Sequence, residues 1–279
     1  MATAETTDSK KFIDIDNVFV SKNPKMYKYI PKFLLSFLKR IVHQEGINDF
    51  IDRNKHKQGL DFAEAIADEF SGGYSSTGLE NIPLDNRYVF AANHPLGGLD
   101  GMVFLTEVGK RFPDVKFPVN DILMNLTNLE SHFVPINKHG AQGREAARLL
   151  EAAYASDSQI LMFPAGLVSR KTNGKITDLE WKRNFIKKAI QHKRDIIPVY
   201  ISGQNSNFFY NLANIRKKLG IKLNIEMLFL PKELFKSVTN KVTIVFGQPV
   251  KWEELNNGLK PQEWAQKIKE LTYNLAKNN

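Results

Sequence analysis

The sequence contains no cysteine among its 279 residues. Disulfide bonds, thiolate metal sites and a cysteine nucleophile are therefore excluded, and the composition fits a reducing compartment. No run of about 18 apolar residues occurs, so a membrane-spanning helix is not expected. The first ten residues are polar and lack the apolar core of a signal peptide. We expect a disordered tail at residues 1–10 and at most a peripheral contact with a membrane.

Several common catalytic motifs are also missing. The sequence has no dinucleotide-binding glycine fingerprint, no Walker A loop and no H-E-x-x-H zinc motif. Residues 73–77 approach the G-x-S-x-G nucleophile elbow but lack its final glycine. His132 and His139 do not have metal-ligand spacing with other histidines or carboxylates, so no metal site is expected. Hydride transfer, nucleotide hydrolysis and zinc proteolysis therefore lose support.

Positive charge is in excess. The chain has 39 Lys and Arg against 30 Asp and Glu, a net charge of +9, which predicts an acidic partner. An anionic membrane, an acidic carrier protein and nucleic acid would each satisfy that charge. Residues 24–70 have a helical apolar pattern that includes Phe33 and Phe37, with lysines on its flanks. Such a stripe either lies in a membrane interface or packs on the rest of the protein.

The remainder of the chain alternates short apolar runs with amphipathic stretches. This pattern is typical of an α/β fold with a mostly parallel sheet flanked by helices. We expect residues 11–79 to form an N-terminal helical, membrane-facing subdomain, integrated with an α/β domain over residues 80–279. The predicted strands are residues 88–92, 116–119, 133–136, 160–163, 196–201 and 242–246, and the predicted helices are residues 99–111, 142–155, 180–193 and 261–277.

His94 and Asp100 are the strongest candidates for catalysis. His94 follows a predicted buried strand, and Pro95 keeps it out of helical geometry. It is therefore expected at the carboxyl end of a strand, where open α/β sheets bind their ligands. Gly97 and Gly98 permit a sharp turn that would fold Asp100 back toward the imidazole. A carboxylate in that position fixes the tautomer of a histidine and makes it a competent general base. A loop histidine in solvent beside a helix-capping aspartate is the alternative.

These residues resemble the first motif of the glycerolipid acyltransferases, which include the lysophosphatidate acyltransferases. Three further blocks follow in the family's order, so the resemblance covers roughly residues 80–250. The second is Phe133-Val134-Pro135-Ile136-Asn137-Lys138, and the third is Phe163-Pro164-Ala165-Gly166-Leu167-Val168-Ser169-Arg170, where the family has F-P-E-G-T-R-S-R. The fourth is Ile197-Pro198-Val199-Tyr200.

The resemblance implies direct acyl transfer from an acyl thioester, carried by CoA or acyl carrier protein, to a lysolipid hydroxyl. His94 would be the base and Asp100 its orienting carboxylate. Backbone N–H groups near Gly166 or Gly97 are candidate oxyanion donors. No resident cofactor is expected, nor binding to nucleic acid, and the enzyme would lie in the cytoplasm against the inner face of the membrane. The acceptor-binding residues would be Asn137, Lys138, Phe163, Pro164, Gly166, Ser169 and Arg170.

This chain departs from the family pattern in two ways. Five residues separate His94 and Asp100 instead of four, and Ala165 and Val168 replace a glutamate and an arginine associated with holding glycerol phosphate. Losing that arginine removes a bidentate phosphate contact. The chain accordingly resembles the branch that acts on lyso-amino-acid lipids, such as lyso-ornithine or lyso-glycine lipid. A non-catalytic basic module binding anionic membranes or nucleic acid and a degenerate, inactive acyltransferase are the alternatives.

Overall fold

The computed structural model describes residues 11–22, 24–120, 123–136 and 140–277 of the chain. These residues divide into two compact units, with the division between His56 and Lys57. The predicted tail at residues 1–10 lies outside the described residues. The described helices are α1 (Ile15–Lys22), α2 (Pro24–Tyr27), α3 (Lys32–Ile41), α4 (Gln44–Arg53), α5 (Gly59–Phe70), α6 (Leu99–Arg111), α7 (Gly140–Ala155), α8 (Asn184–His192), α9 (Asn207–Lys218), α10 (Leu230–Lys236), α11 (Trp252–Leu255) and α12 (Pro261–Leu275).

The first unit contains α1 to α4. Helix α3 is amphipathic, with Leu35 and Ile41 buried while Phe33 and Phe37 are 76% and 53% exposed. An ion pair between Lys39 and Asp16 joins α3 to α1. The aromatic residues of the predicted stripe therefore face solvent.

The second unit is built on a seven-stranded sheet. Its order is β1-β9-β8-β2-β5-β3-β4, and every neighbouring pair is parallel except β8 and β9. The strands alternate with helices that cover the sheet, so the predicted mostly parallel α/β fold is confirmed. The strands are β1 (Tyr74–Thr77), β2 (Tyr88–Ala92), β3 (Val115–Val119), β4 (Phe133–Pro135), β5 (Gln159–Met162), β8 (Asp195–Ile201) and β9 (Val242–Phe246), with β6 (Arg170–Thr172) and β7 (Lys175–Thr177) in a separate hairpin.

The division between the units differs from the predicted boundary between residues 79 and 80. Helix α5 packs on α6, and β1 pairs in parallel with β9, so both belong to the second unit. Strand β1 is short and polar, Tyr-Ser-Ser-Thr, because it lies at the edge of the sheet. Such a strand lacks the apolar pattern by which the inner strands were predicted.

Strand β2 lies at the centre of the sheet, between β5 and β8, and its five residues are buried. Val89 and Ala91 belong to an apolar cluster that also contains Trp181 and Phe185. Phe90, pointing to the opposite face, contacts Phe246 with ring centroids 6.0 Å apart. Burial on both faces explains why β2 is apolar throughout instead of alternating. Because β2 is parallel to both β5 and β8, the carboxyl ends of the three strands lie at the same edge of the sheet.

Candidate active site

The end of β2 is held in place by Asn93. Its buried side chain donates to the carbonyl of Ile201 at 2.8 Å and accepts the Ile201 N–H at 2.7 Å, which ties the end of β2 to the end of β8. A buried amide satisfied on both sides fixes the backbone around it. The next residue, His94, is therefore presented from a rigid position at the carboxyl edge of the sheet.

His94 and Asp100 meet in the structure. His94 Nδ1 lies 2.8 Å from Asp100 Oδ2, and the imidazole is 16% exposed while the carboxylate is fully buried. Because an ionised carboxylate only accepts hydrogen bonds, Nδ1 carries the proton and donates it to Asp100. The other ring nitrogen, Nε2, makes no hydrogen bond within the described part of the chain. This tautomer leaves the Nε2 lone pair available as a base.

The environment of Asp100 keeps it charged. Burial by itself raises the pKa of this carboxyl, but the charge and hydrogen bond of His94 and the N–H groups of Leu96 and Gly97 outweigh burial. The net effect lowers the pKa below its usual value of 3.8. Those N–H groups lie 2.8 Å and 3.3 Å from Asp100 Oδ2. The loop that joins the two residues therefore also stabilises the carboxylate.

The extra residue between His94 and Asp100 is accommodated by a turn at Gly97. Its φ angle is +84°, and a Cβ atom there would lie 2.7 Å from Leu230 Cδ2 and 2.9 Å from Val168 Cγ2. Only glycine combines this backbone geometry with such a close approach. Gly98 then precedes α6, in whose first turn Asp100 lies, as predicted. The longer spacing is thus compatible with contact between His94 and Asp100.

The third block follows β5, the neighbour of β2, and reaches the imidazole. Phe163 stacks on His94 with ring centroids 4.0 Å apart and an interplanar angle of 13°. Pro164 is buried, and Gly166 is exposed with a φ angle of +68°. The Gly166 N–H donates to the Phe163 carbonyl at 3.0 Å, just as the Gly97 N–H is used by Asp100. The two N–H groups considered as oxyanion donors are therefore both occupied by internal bonds.

Ser169 supports the backbone of His94. The Ser169 N–H donates to the His94 carbonyl at 2.8 Å, and its hydroxyl donates to Asp178 Oδ1 at 2.6 Å. The same Asp178 oxygen accepts the His94 N–H at 3.1 Å. The Ser169 side chain is buried and engaged within the protein. Its position favours holding the histidine over contacting the acceptor.

Asp178 is a site residue that the motif comparison missed. Besides His94 and Ser169, its carboxylate accepts the indole N–H of Trp181 at 2.8 Å. Arg170 and Thr177 are paired across the β6–β7 hairpin. Ser169 precedes Arg170 and Asp178 follows Thr177, so the hairpin brings Ser169 and Asp178 side by side. Asn-Gly at 173–174, both with positive φ, forms the two-residue turn. That dipeptide is a strong hairpin signal and could have located Asp178 from the sequence.

Asp178→Asn is expected to destabilise the protein by about 1–3 kcal/mol. The NH₂ group of the asparagine would face one of the N–H or O–H groups that now donate to the Asp178 carboxylate. Three donors point at this carboxylate, so an amide cannot satisfy all of them. Denaturant unfolding measures the change. Asp85→Asn, at an exposed position, is the control and should stay within about 0.5 kcal/mol of the wild type. Equal stability of both variants would contradict the assigned network.

The two altered positions of the third block are apolar in their surroundings. Ala165 is buried in the large cluster around Trp181. Val168, fully buried, packs with Phe209 and Tyr210 of α9. A charged side chain at either position would lie among apolar groups. The substitutions therefore match the packing of this chain, and neither position presents a group to a ligand.

Arg170 is also engaged within the protein. Its Nη2 lies 2.9 Å from Glu226 Oε1, its Nη1 donates to the Val168 carbonyl at 2.6 Å, and its guanidinium lies over the ring of Phe209. Glu226, fully buried, also pairs with Arg216 at 2.8 Å. Burial lowers the pKa of Arg170 from its usual value, against the opposing effect of Glu226. The structure thus places Arg170 in a buried ion-pair network that joins β6 to α9.

Val168→Arg, which restores the family's arginine, is expected to destabilise the protein by at least about 2 kcal/mol, because the new charge would be buried without a partner. Thermal or denaturant unfolding measures this change. Val238→Arg is the control, since Val238 is exposed, and it should have little effect. A stable Val168→Arg protein with increased turnover of lysophosphatidate would contradict this interpretation.

Two of the predicted acceptor-binding residues, Asn137 and Lys138, lie outside the described residues. The preceding part of the second block forms β4, paired in parallel with β3 at the edge of the sheet. The fourth block lies in β8, beside β2. The structure therefore brings the first, third and fourth blocks together on neighbouring strands.

Comparisons with known proteins agree with this architecture. A model of the acyltransferase family matches residues 17–279. A lyso-glycine lipid O-acyltransferase from Bacteroides thetaiotaomicron is 48% identical over 271 residues, covering 97% of this chain and 100% of the relative. A protein of the same name from Phocaeicola vulgatus is 45% identical over 271 residues, covering 97% of each chain.

A solved structure has the same fold. The crystal structure of PlsC, the 1-acyl-sn-glycerophosphate acyltransferase from Thermotoga maritima, matches with a TM-score of 0.52 over 88% of this chain and 92% of that chain. Its sequence identity of 17% supports the fold alone. The family match over most of the chain and the two relatives at 48% and 45% identity show that the likeness extends to the sequence. The chain therefore belongs to the acyltransferase family and is an enzyme of the glycerolipid acyltransferase superfamily.

Proposed function

We propose that this enzyme transfers a fatty acyl group from an acyl thioester to the hydroxyl of a lysolipid, with lyso-glycine lipid as the acceptor. The observation that carries the proposal is the 2.8 Å contact of His94 Nδ1 with the buried Asp100 carboxylate. Both relatives are named for acylation of lyso-glycine lipid, and they cover nearly the whole chain. The product of this reaction would be a diacylated lipid.

The mechanism begins with His94 as a general base. Its Nε2 takes the proton of the acceptor hydroxyl, and the oxygen attacks the carbonyl carbon of the thioester. The new C–O bond gives a tetrahedral intermediate. When this intermediate collapses, the C–S bond breaks and the leaving thiolate takes the proton from the imidazolium. Asp100 stabilises the imidazolium while it exists, because its pKa is lowered, which favours the ionised carboxylate, and its Oδ2 lies 2.8 Å from Nδ1. No acyl-enzyme forms on this route.

The surroundings of His94 support that role. Phe163 covers one face of the imidazole and limits the approach of water from that side. In the turn between His94 and α6, Leu96 and Gly97 donate their N–H groups to Asp100, and Pro95 has none. The Gly98 N–H has no partner within the described residues. It is the proposed donor to the oxyanion of the tetrahedral intermediate.

The third block favours an acceptor without glycerol phosphate. Ala165 and Val168 are buried among apolar side chains, and the Arg170 guanidinium is paired with Glu226. None of these three positions offers an unpaired cation of the kind that holds a phosphate in two parallel hydrogen bonds. A lipid whose head group is an amino acid has no phosphate to be held in this way. This agrees with the names of the two relatives.

A competition assay tests the acceptor and the donor. Purified enzyme receives equal amounts of lyso-glycine lipid, lyso-ornithine lipid and lysophosphatidate with either acyl carrier protein or CoA thioesters, and products are quantified by mass spectrometry. Diacylated glycine lipid should dominate. Preferential acylation of lysophosphatidate would contradict the proposed acceptor while leaving acyl transfer intact. Comparing the two thioesters identifies the donor.

The enzyme is further proposed to work at the inner, anionic face of the membrane. Within the described residues, no helix is long and apolar enough to span a bilayer. The net charge of +9 favours anionic lipid, and α3 exposes Phe33 and Phe37 between basic residues. This arrangement supports peripheral attachment through the first unit.

Changing Phe33 and Phe37 together to serine is expected to weaken binding to anionic vesicles by roughly tenfold, because two aromatic side chains would no longer enter the interface. Vesicle cosedimentation measures the affinity. Ser36→Ala, an exposed change on the same helix, is the control. Unchanged binding of the double variant would exclude α3 as a lipid contact.

A further inference from the structure

Helix α9 exposes a second apolar stripe, on the unit that carries His94. Phe208, Leu212, Ile215 and Leu219 recur at intervals of four, three and four residues, and Leu219 directly follows the helix. At 3.6 residues per turn they span an arc of roughly 60°. Ile215 is 54% exposed and Leu219 69% exposed. The opposite side of α9 is buried through Phe209, Tyr210 and Ala213, so the exposed stripe is not part of the core.

Further exposed apolar residues follow α9 in the chain. Ile221 and Leu223 in the following loop are exposed, Leu223 by 72%, and so is Leu228 in the 3₁₀ turn Ile225–Phe229. The ring of Phe229 contacts that of Phe208 at 5.0 Å, so the turn lies along the beginning of α9. We call this the α9 surface; its exposed residues are Phe208, Ile215, Leu219, Ile221, Leu223 and Leu228.

The exposed charged side chains of residues 207–228, which carry the α9 surface, are all positive. Residues 207–225 contain four basic residues, Arg216, Lys217, Lys218 and Lys222, and no acidic residue. Arg216 pairs with Glu226, the nearest carboxylate in the sequence, which is fully buried. The three lysines are exposed and make no ion pair within the described residues. The surface therefore combines aliphatic side chains with unpaired positive charge.

We propose that the α9 surface docks on an anionic lipid bilayer, with its aliphatic residues in the interface and its lysines at the phosphates. Large aliphatic groups bordered by lysine are typical of interfacial segments, where apolar burial and attraction to anionic lipid act together. An exposed apolar patch of this kind on a protein indicates an interaction site. A bilayer fits better than an acidic carrier protein, since a lipid interface takes in leucine and isoleucine side chains without requiring a matching apolar groove.

The α9 surface is joined to the catalytic loop through the interior of the unit. Phe209 and Tyr210, on the inner side of α9, pack on Val168 of the third block. Leu230, one residue after the 3₁₀ turn, lies against Gly97. Docking would therefore set the carboxyl edge of the sheet, with His94, at a defined distance from the membrane. This consequence rests on the proposed function, because only a membrane-borne acceptor makes that placement useful.

The test is the affinity of the full chain for vesicles, measured without donor or acceptor. Leu219→Ser with Leu223→Ser is introduced into the wild type and into the Phe33→Ser, Phe37→Ser protein. Vesicles of pure phosphatidylcholine and vesicles with added phosphatidylglycerol are compared. Leu84→Ser with Leu179→Ser is the matched control, since both leucines are exposed elsewhere on the unit. All changes are at exposed positions, so equal melting temperatures are expected.

The proposal predicts that the Leu219 and Leu223 changes weaken binding to anionic vesicles by about tenfold or more in both backgrounds, while the control pair changes it little. Changing Lys217, Lys218 and Lys222 to glutamine should weaken it further and reduce its salt dependence. Affinity unchanged by the leucine variant would overturn the proposal. So would a loss of dimerisation or of acyl carrier protein binding without any loss of vesicle binding. Absence of acyl transfer by the wild type would refute the proposed function but not the docking.

Discussion

His94→Ala is expected to lower kcat/KM for acyl transfer by about a thousandfold, within the range that general-base catalysis contributes. The imidazole Nε2 is the proposed acceptor of the hydroxyl proton, and alanine offers no replacement. The fold should persist, because the backbone of residue 94 is held through its N–H by Asp178 and through its carbonyl by Ser169. Initial rates of product formation at saturating thioester, together with the melting temperature, measure both effects.

The control for this variant is His56→Ala. His56 is an exposed histidine in the first unit, so its loss should leave the rate unchanged. A His94→Ala protein that is folded and retains wild-type activity would contradict the assigned base. Loss of activity accompanied by unfolding would show instead that the imidazole is required for structure, and a His94→Gln variant then separates the two roles.

Asp100→Asn is the second large expected effect, a reduction in kcat of roughly a hundredfold or more. In this variant the amide oxygen can still accept the Leu96 and Gly97 N–H groups. The side chain beside Nδ1 is then neutral. It can neither stabilise the imidazolium nor hold the proton on Nδ1 with the strength of a carboxylate. The acceptor is not bound by Asp100, which is fully buried, so KM should change much less than kcat.

The same substitution changes stability in a pH-dependent manner. Because the pKa of Asp100 is lower in the folded protein than its usual 3.8, its ionised form stabilises the fold above about pH 4. That contribution is lost as the pH falls through the folded-state pKa, and the asparagine variant lacks it at every pH. Urea unfolding at pH 7 and at low pH measures the difference. Equal kcat values for Asp100→Asn and the exposed control Asp85→Asn would contradict the role of Asp100.

The architecture could be predicted from the sequence because most strands are buried on both faces. Residues 88–92 are apolar throughout and form β2 with the predicted bounds. Residues 242–246 also form a strand, β9, with the predicted bounds. The candidate pair was also accessible, since a histidine after such a strand and a glycine turn restrict where Asp100 can lie. The edge strand β1 was missed because its polar sequence carries no burial pattern.

The details of the site depend on contacts between distant parts of the chain. Arg170 looked available for the acceptor, but its partner Glu226 is 56 residues away and no local pattern announces it. Val168 looked like a lost ligand, but it packs on α9 in a cluster that forms only in the fold. Asp178 differs, because the Asn-Gly hairpin before it was a local signal. Sequence patterns thus locate the strands and the catalytic pair, whereas the assignment of surrounding side chains needs the tertiary structure.

Acyl transfer by the purified wild-type enzyme to lyso-glycine lipid tests the proposed reaction most directly. Enzyme, an acyl thioester and lyso-glycine lipid in anionic vesicles are incubated, and the diacylated glycine lipid is measured over time by mass spectrometry. The proposed reaction predicts a product that grows linearly with enzyme concentration and is absent with the His94→Ala variant. Folded, vesicle-bound wild-type enzyme that forms no product with either thioester, or a product formed equally well by His94→Ala, would contradict it.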